Sequence, residues 1–537
     1  MRARLPLALT LLLFAGLVVL LASILIGGNQ GHLVYTLDDA YIHMAIAKNL
    51  VRSGQWGLGG DAFVPASSSP LWTLLLAGGY LLAGVNDWLP LALNILAGGL
   101  LILLLFGWLR RGGSGPWPAA AGVLLILLLA PGVPVLFCGM EHLLQAVIVL
   151  AFALALARSV ARAPAADARG LGGLLLLSLL LTAVRFEDGF LVLVGCALLA
   201  LRRRWGSAAL VALAGLLPIV VHGLISLANG WYALPTSVLL KASVPAPTGF
   251  ERVIDLLGRT GLREIGRSPH IAIWLGLAAA GLIALHRRRA DRWNEPAILL
   301  WLFVLAMVLH VQFGLTGHFF RYEMYLLVLG AAALALAFWR DLPGRFVRAL
   351  RSGAWPARVG WLLLTIWIGI FLGARAYAAH TLVPRASRNI YHQHYQMGRF
   401  FDHYYAGEGV AANDIGAVNY YAEIDCLDVW GLLSRDVLQL KREQRYSIRH
   451  MRELARRNGV QVAAIYDAWF QPLRELQAHW KLIGVWVIPD NVICGSPAVS
   501  FYAVDPLAGQ KLKEALAEFA PTLPEGVEFH QVTRRAR

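Results

Sequence analysis

The stretch YTLDDAYIHMAIAKNL (35–50) sets two adjacent carboxylates, Asp38 and Asp39, directly behind an apolar N-terminal run. Carboxylates beside hydrocarbon are costly and are kept where they pair, cap or react. Ile42, Ala45, Ile46 and Asn49 fall on helical spacing, so residues 38–56 read as an amphipathic helix beginning near Asp38. Asp39 and His43 are then i and i+4, neighbours on one face. Capping explains part of this pattern: Asp38 as N-cap, Asp39 in a first turn where negative charge suits the helix dipole. Two acids in tandem leave one unaccounted for, and a carboxylate in that place can accept a proton.

Other polar groups interrupt the apolar text. GMEH (139–142) holds Glu141 and His142 in a tight connection, so Glu141 needs a partner near the hydrocarbon boundary. RFEDG (185–189) sets Arg185, Glu187 and Asp188 between two short apolar runs, as an ion pair that ties helices together or as a substrate-binding group. NGWYALPTSVLLKAS (229–243) combines an aromatic pair with Lys241. Trp231 and Tyr232 suit a membrane interface, and Lys241 can snorkel. TGHFFRYEMY (316–325) brings His318, Arg321 and Glu323 to a helix entrance. A guanidinium at headgroup level is what a lipid phosphate needs. Acids that accept a proton and cations that hold a phosphate suit transfer from a lipid-phosphate donor better than they suit a channel, whose charges run across the membrane.

Apolar elements must position these groups. The 537 residues are 58% hydrophobic and only 15% charged, with mean hydropathy +0.60. Soluble domains carry about 25% charged residues. This is the composition of a polytopic membrane protein. The net charge of +15 does not point to nucleic acid. Arg110–Arg111, Arg158/Arg162/Arg169, Arg202–Arg204, Arg287–Arg289 with Arg292, and Arg340 to Arg358 sit in short loops, the positive-inside pattern. The run from about Leu5 to Gly27 exceeds a signal-peptide core and reads as a retained first helix.

With the basic loops inside, the chain threads about eleven times. Expected crossings are 5–27, 88–109, 118–137, 140–157, 171–184, 188–201, 207–227, 271–286, 296–313, 321–339 and 359–376. The run PLWTLLLAGGYLLAG (70–84) is then expected not to cross, because a crossing there inverts every later loop. The segments 28–87, 137–142, 185–189, 228–270, 316–323 and everything after about 377 share the outer face. In the tail, GVAANDIGAVNYY, IDCLDVWGL, VQVAAIYDAWF and KLIGVWVIP alternate with charged helical text, which predicts a small α/β domain. Cys426 and Cys494 both fall there, as a disulfide in an oxidising compartment or as two thiols.

The ordered motifs resemble the GT-C class of membrane glycosyltransferases, which use polyprenyl-phosphate sugars. They are most similar to the bacterial branch that includes the mycobacterial terminal arabinofuranosyltransferase. DDAYI (38–42), SSPLW (68–72), GMEH (139–142), RFEDG (185–189), GWYALPTSVLLK (230–241) and NDIGAVNYYAEIDCLDVWGL (413–432) match its elements in order, with His142, Phe186 and Thr236 departing from the pattern.

The resemblance implies a mainly α, polytopic GT-C-like bundle over 1–376, with outer loop 28–87, and an extracytoplasmic α/β domain over 377–537. It implies an inverting transfer of sugar from a polyprenyl-phosphate donor to a hydroxyl of a cell-envelope glycan, lipid or protein, on the outer face of the bacterial inner membrane. Asp39 is then the general base, with Asp38 its partner or the base itself. His43 orients Asp39 or binds substrate. Arg321, His318 and Lys241 stabilise the leaving phosphate, and Glu141 and Glu187 bind sugar hydroxyls. His142 and Arg185 complete the expected substrate-binding set. No cofactor is certain; Asp38, Asp39 and Glu141 could hold a divalent Mg, Mn or Ca. Expected partners are the lipid-linked donor, the acceptor and membrane lipid, with no nucleic acid. An envelope polysaccharide polymerase or ligase, a flippase for a lipid-linked saccharide, and a catalytically dead scaffold are the competing readings.

Overall fold

Helices make up most of a computed structural model that describes residues 4–59, 63–162, 168–241, 260–288, 291, 293–339, 355–473 and 479–532. The bundle helices are α1 (Arg4–Gly28), α2 (Asp38–Ser53), α3 (Pro70–Ala83), α4 (Leu89–Arg111), α5 (Pro116–Leu129), the short α6 (Gly132–Leu136), α7 (His142–Ala161), α8 (Ala168–Val184), α9 (Gly189–Leu201), α10 (Trp205–Ala228), α11 (Thr236–Lys241), α12 (Thr260–Arg267), α13 (Pro269–Arg287), α14 (Glu295–Phe313), α15 (Met324–Phe338) and α16 (Trp355–Ile390). Among the described residues, seven helices are long and apolar enough to cross a membrane. Seven of the expected crossings fall on these helices; 171–184, 188–201 and 321–339 fall on the shorter α8, α9 and α15, and 118–137 is broken after Leu129 into α5 and α6. Exposed leucines on α1, α4 and α10, such as Leu12, Leu96 and Leu213, form lipid-facing surface, and the protein is an integral membrane protein.

Helix α3 begins and ends at the same end of the bundle. At its start, the Ser69 hydroxyl donates to the Val184 carbonyl at the end of α8, 2.6 Å away. Just past its end, the Asp87 carbonyl accepts from the Tyr35 hydroxyl at 2.6 Å, and Tyr35 Oη accepts from the Leu91 N–H at 2.9 Å. Tyr35 and Val184 both border the acid-bearing end. With 14 residues, α3 is about 21 Å long, no shorter than α5 or α9, so the contacts at its two ends, and not its length, set it apart. This geometry fits a helix that lies along the boundary.

The tail continues α16 through a π turn (Tyr391–Tyr395) into α17 (Gln396–Tyr405), so the expected boundary at 376/377 falls inside a continuous helix. Beyond it lie β1 (Gly409–Ala412), α18 (Gly416–Tyr421), β2 (Asp425–Asp428), α19 (Arg435–Arg442), α20 (Ile448–Arg457), β3 (Val460–Ile465), β4 (Lys481–Val487), β5 (Ala498–Ala503), α21 (Ala508–Phe519) and β6 (Glu528–Gln531). The strands order as β2-β1-β3-β5-β4-β6. β1 pairs parallel with β2 and β3, and the remaining pairs are antiparallel. Apolar clusters cover both faces of this sheet, one around Phe400, Trp486 and Phe501, the other around Val437, Met451 and Tyr502. Each of the four apolar stretches picked out in the tail forms a strand. Cys426 and Cys494 are free thiols.

Candidate active site

Asp38 caps a helix, though not its own. Leu37 holds the N-cap position of α2 without a side-chain cap, and both acids sit in the first turn. The Asp38 carboxylate instead reaches the N-terminus of α18 in the tail. Its Oδ2 accepts from Gly416 N–H at 2.7 Å, its Oδ1 from Ala417 N–H at 2.8 Å, and His394 Nδ1 lies 3.2 Å from Oδ1. At the other end of α18, Lys48 Nζ donates to the carbonyls of Asn419 (3.1 Å) and Tyr420 (2.7 Å). Thus α2 grips α18 by both ends, carboxylate to free N–H groups and ammonium to free carbonyls, as the helix dipole favours. Burial pulls the Lys48 amine down to about 8. Only glycine fits at 416: a Cβ there would lie 2.1 Å from the Asp38 carbonyl oxygen.

Asp39 faces the bundle. Its Oδ2 meets Arg321 Nη2 at 2.5 Å, with the arginine side chain 1% exposed and the aspartate 31%. Asp38 is 12% exposed. The two adjacent acids are thereby divided, one docking the tail and one on a buried guanidinium within reach of solvent. Arg321 stacks 4.8 Å from the Tyr322 ring centre, and Arg185 lies 5.7 Å from the same ring. Arg185 binds Glu141 at 2.6 Å and Glu187 at 2.8 Å. So the expected ion pair in RFEDG exists, with Glu187 taking two guanidinium N–H groups, and the carboxylate of GMEH is a second, fully buried partner. Burial works against the Glu141 charge, but the Arg185 guanidinium outweighs it and holds the carboxyl at about 2. Gly139, at φ +69°, lets this segment close on Tyr35, whose ring a Cβ would meet at 2.6 Å.

The remaining expected residues scatter around this centre. His43 Nδ1 bonds Thr73 Oγ1 at 3.0 Å and Ser67 Oγ at 3.2 Å, so its ring ties α2 to α3. Burial lowers its proton affinity, which keeps it neutral. His142 is fully buried in α7 with neither ring nitrogen hydrogen-bonded among the described residues. The His318 ring lies 5.5 Å from that of Tyr322, tilted by 50°. The side chain of Lys241 lies outside the described residues. Asp38, Asp39 and Glu141 turn to separate partners. Among the described residues no group of three or more His, Cys, Asp or Glu is placed to hold a metal ion, so the carboxylates present do not form the oxygen cage considered above.

Several contributors were not singled out by sequence. Tyr322 joins the two arginines. Ser67 and Thr73 hold His43. Gly416, Ala417 and His394 receive Asp38. Thr236, noted in the sequence only as a departure from the motif, links the bundle to the tail by donating its hydroxyl to the Leu432 carbonyl at 2.8 Å. The DIG run around Gly416 was the one available signal for the tail's part, as a glycine opening a helix after an apolar strand.

The arrangement combines a polytopic bundle, the acid-bearing helix α2 packed against the tail and a mixed α/β tail, the fold of the GT-C membrane glycosyltransferases. Two crystal structures of ArnT from Cupriavidus metallidurans show that likeness. The undecaprenyl phosphate complex matches with TM-score 0.54 and 13% identity, over 92% of this chain and 98% of that one. The apo form matches with TM-score 0.53 and 13% identity, over 93% and 98%. At such identity the likeness speaks for the fold. A family described as a domain of unknown function (DUF8728) matches residues 388–502, from the end of α16 to β5. No curated protein matches the chain. These neighbours bear on the GT-C class and do not support the narrower arabinofuranosyltransferase-like branch.

Proposed function

We propose that the protein is an inverting glycosyltransferase, moving a sugar from a polyprenyl-phosphate donor to a hydroxyl of an envelope acceptor at the extracytoplasmic face of the inner membrane. The observation that carries the reading is the pairing of the accessible Asp39 with the buried Arg321, beside Tyr322 and Arg185, in a GT-C fold. Asp39 takes the acceptor hydroxyl proton. The acceptor oxygen forms a bond to the anomeric carbon while the bond to the phosphate oxygen breaks. Polyprenyl phosphate leaves with that electron pair.

The ion pair gives this step an order. While Arg321 holds Asp39, the carboxylate is a poor base. A donor phosphate that engages Arg321 draws away this counter-charge, strengthens the base and gains a charge-assisted contact for the leaving group. Arg185, held by Glu141 and Glu187, adds positive potential behind Tyr322. Asp38 acts through position, fixing the start of α2 against the tail. The sugar and acceptor are left open, and kinship to the arabinofuranosyltransferase-like branch rests on motif order.

The test is turnover of a polyprenyl-phosphate sugar with a hydroxyl acceptor by the purified protein. A general base contributes about 10²–10⁴-fold, so Asp39→Asn should lose activity on that scale with donor binding retained. An Asp39→Asn protein that turns over like wild type overturns the proposal.

A further inference from the structure

A second feature lies on the loop that carries Arg321, in a cavity lined by neither Asp39 nor Arg321. It measures about 310 Å³ and is walled by His270, His318, Phe319, Phe320, Phe371 and Arg375, with Glu323 behind. Four successive residues of its wall have left-handed backbones: Gly317 (φ 74°), His318 (34°), Phe319 (61°) and Phe320 (66°). For residues other than glycine this conformation costs about 1–2 kcal/mol each and persists where the surroundings impose it. Glu323 anchors the start of this run, its Oε2 accepting from Gly317 N–H at 2.8 Å.

Arg375 is the group that needs explaining. Its Nη2 binds Glu323 Oε1 at 2.6 Å, and its side chain is 8% exposed. Its guanidinium lies over Phe320, 5.2 Å from the ring centre. Its Nη1 has no hydrogen-bond partner among the described residues. A buried charged donor left unmade is costly. Glu323 is already engaged by Arg375, by His270 at 3.0 Å and by Gly317. It orients the guanidinium and leaves Nη1 for an acceptor from outside.

Helix α16 shows what that acceptor is attached to. Leu363, Ile366, Trp367, Ile370 and Phe371 are all exposed, and their spacing puts them on one face. The next position on that stripe is Arg375. An apolar track thus runs along the helix and ends at an aromatic-walled cavity with an unpaired guanidinium N–H. We propose that this cavity is a lipid-phosphate site, in which Arg375 takes the phosphate ester and the α16 stripe takes the hydrocarbon chain. The site does not depend on the reaction proposed above. Its ligand is drawn from membrane phospholipid or from a polyprenyl phosphate, which share this chemistry.

The test uses the full chain, purified in detergent and stripped of lipid. Binding is followed by native mass spectrometry with phosphatidylglycerol, undecaprenyl phosphate, diacylglycerol or inorganic phosphate. At least one phosphate lipid should bind, at least tenfold more tightly than diacylglycerol or inorganic phosphate. Arg375→Gln should weaken it tenfold or more. Phe371→Trp, which enlarges a side chain lining the cavity and keeps both Arg375 and Glu323, should weaken it similarly and decides the matter should Arg375→Gln misfold. Whichever phosphate lipid responds to these substitutions identifies the source. Diacylglycerol binding as tightly as the phosphate lipids, no phosphate lipid binding, or wild-type affinity in the folded variants overturns the proposal. Asp39→Asn serves as the control that separates this site from the transfer reaction.

Discussion

Replacing Asp38 by asparagine separates docking from catalysis at two neighbouring acids. In the structure both Asp38 oxygens are occupied by the Gly416 and Ala417 N–H groups, at 2.7 and 2.8 Å. Hydrogen bonds to a charged acceptor contribute about 1.5–3 kcal/mol each. Asparagine offers one oxygen, so one bond survives without its charge, while an NH₂ faces the second backbone donor. The expected loss is about 2–4 kcal/mol in holding α18, or roughly 30–1,000-fold in the local docking equilibrium at 1.4 kcal/mol per tenfold. Lys48 and Thr236 still tether the tail, so turnover should fall about tenfold, against the 10²–10⁴-fold of a lost base. Hydrogen exchange at Gly416 and Ala417 should quicken markedly, and the pH–rate profile should keep its acidic limb. Abolished turnover in Asp38→Asn with exchange at 416 and 417 unchanged would refute this division of labour and make Asp38 the reacting acid.

Three further outcomes are expected. Arg321→Lys keeps the charge but loses the planar fork and the stacking on Tyr322; kcat should fall tenfold or more, since the leaving phosphate relies on it. Glu141, held at about 2 against an ordinary 4.5, stabilises the fold above pH 4.5 and loses that contribution as pH falls towards 2. At about 1.4 kcal/mol per unit the loss approaches ~3 kcal/mol, so melting curves of wild type should fall across this window, more steeply than those of Glu141→Gln. A reporter fused after Arg110 should indicate the cytoplasm; an external signal would mean that α3 crosses the membrane.

Much of the fold was legible because its causes are local. Apolar runs and the basic loops between them do not depend on distant residues, and every expected crossing but 118–137, which breaks into α5 and α6, corresponds to a single helix. The α/β text of the tail was readable on the same ground, through alternating short strands and charged helices. The site was legible only in its parts. Asp39, Arg321, Glu141 and Arg185 stood out as charges in apolar surroundings, since each needs a partner there. Nothing in the spacing says that Glu141 belongs to Arg185 and Asp39 to Arg321. Nor does it reveal that Tyr322 stands between the two guanidiniums.

By itself the sequence determined a membrane bundle with an α/β tail and a set of ionisable groups confined to one end, because hydropathy and periodicity act over a turn or two of chain. The tertiary structure decided which acid does what. Asp38 and Asp39 are chemically identical neighbours, but successive positions on a helix point about 100° apart. One therefore meets the N-terminus of α18, and the other meets Arg321. That difference exists only once helices from distant parts of the chain have packed around α2.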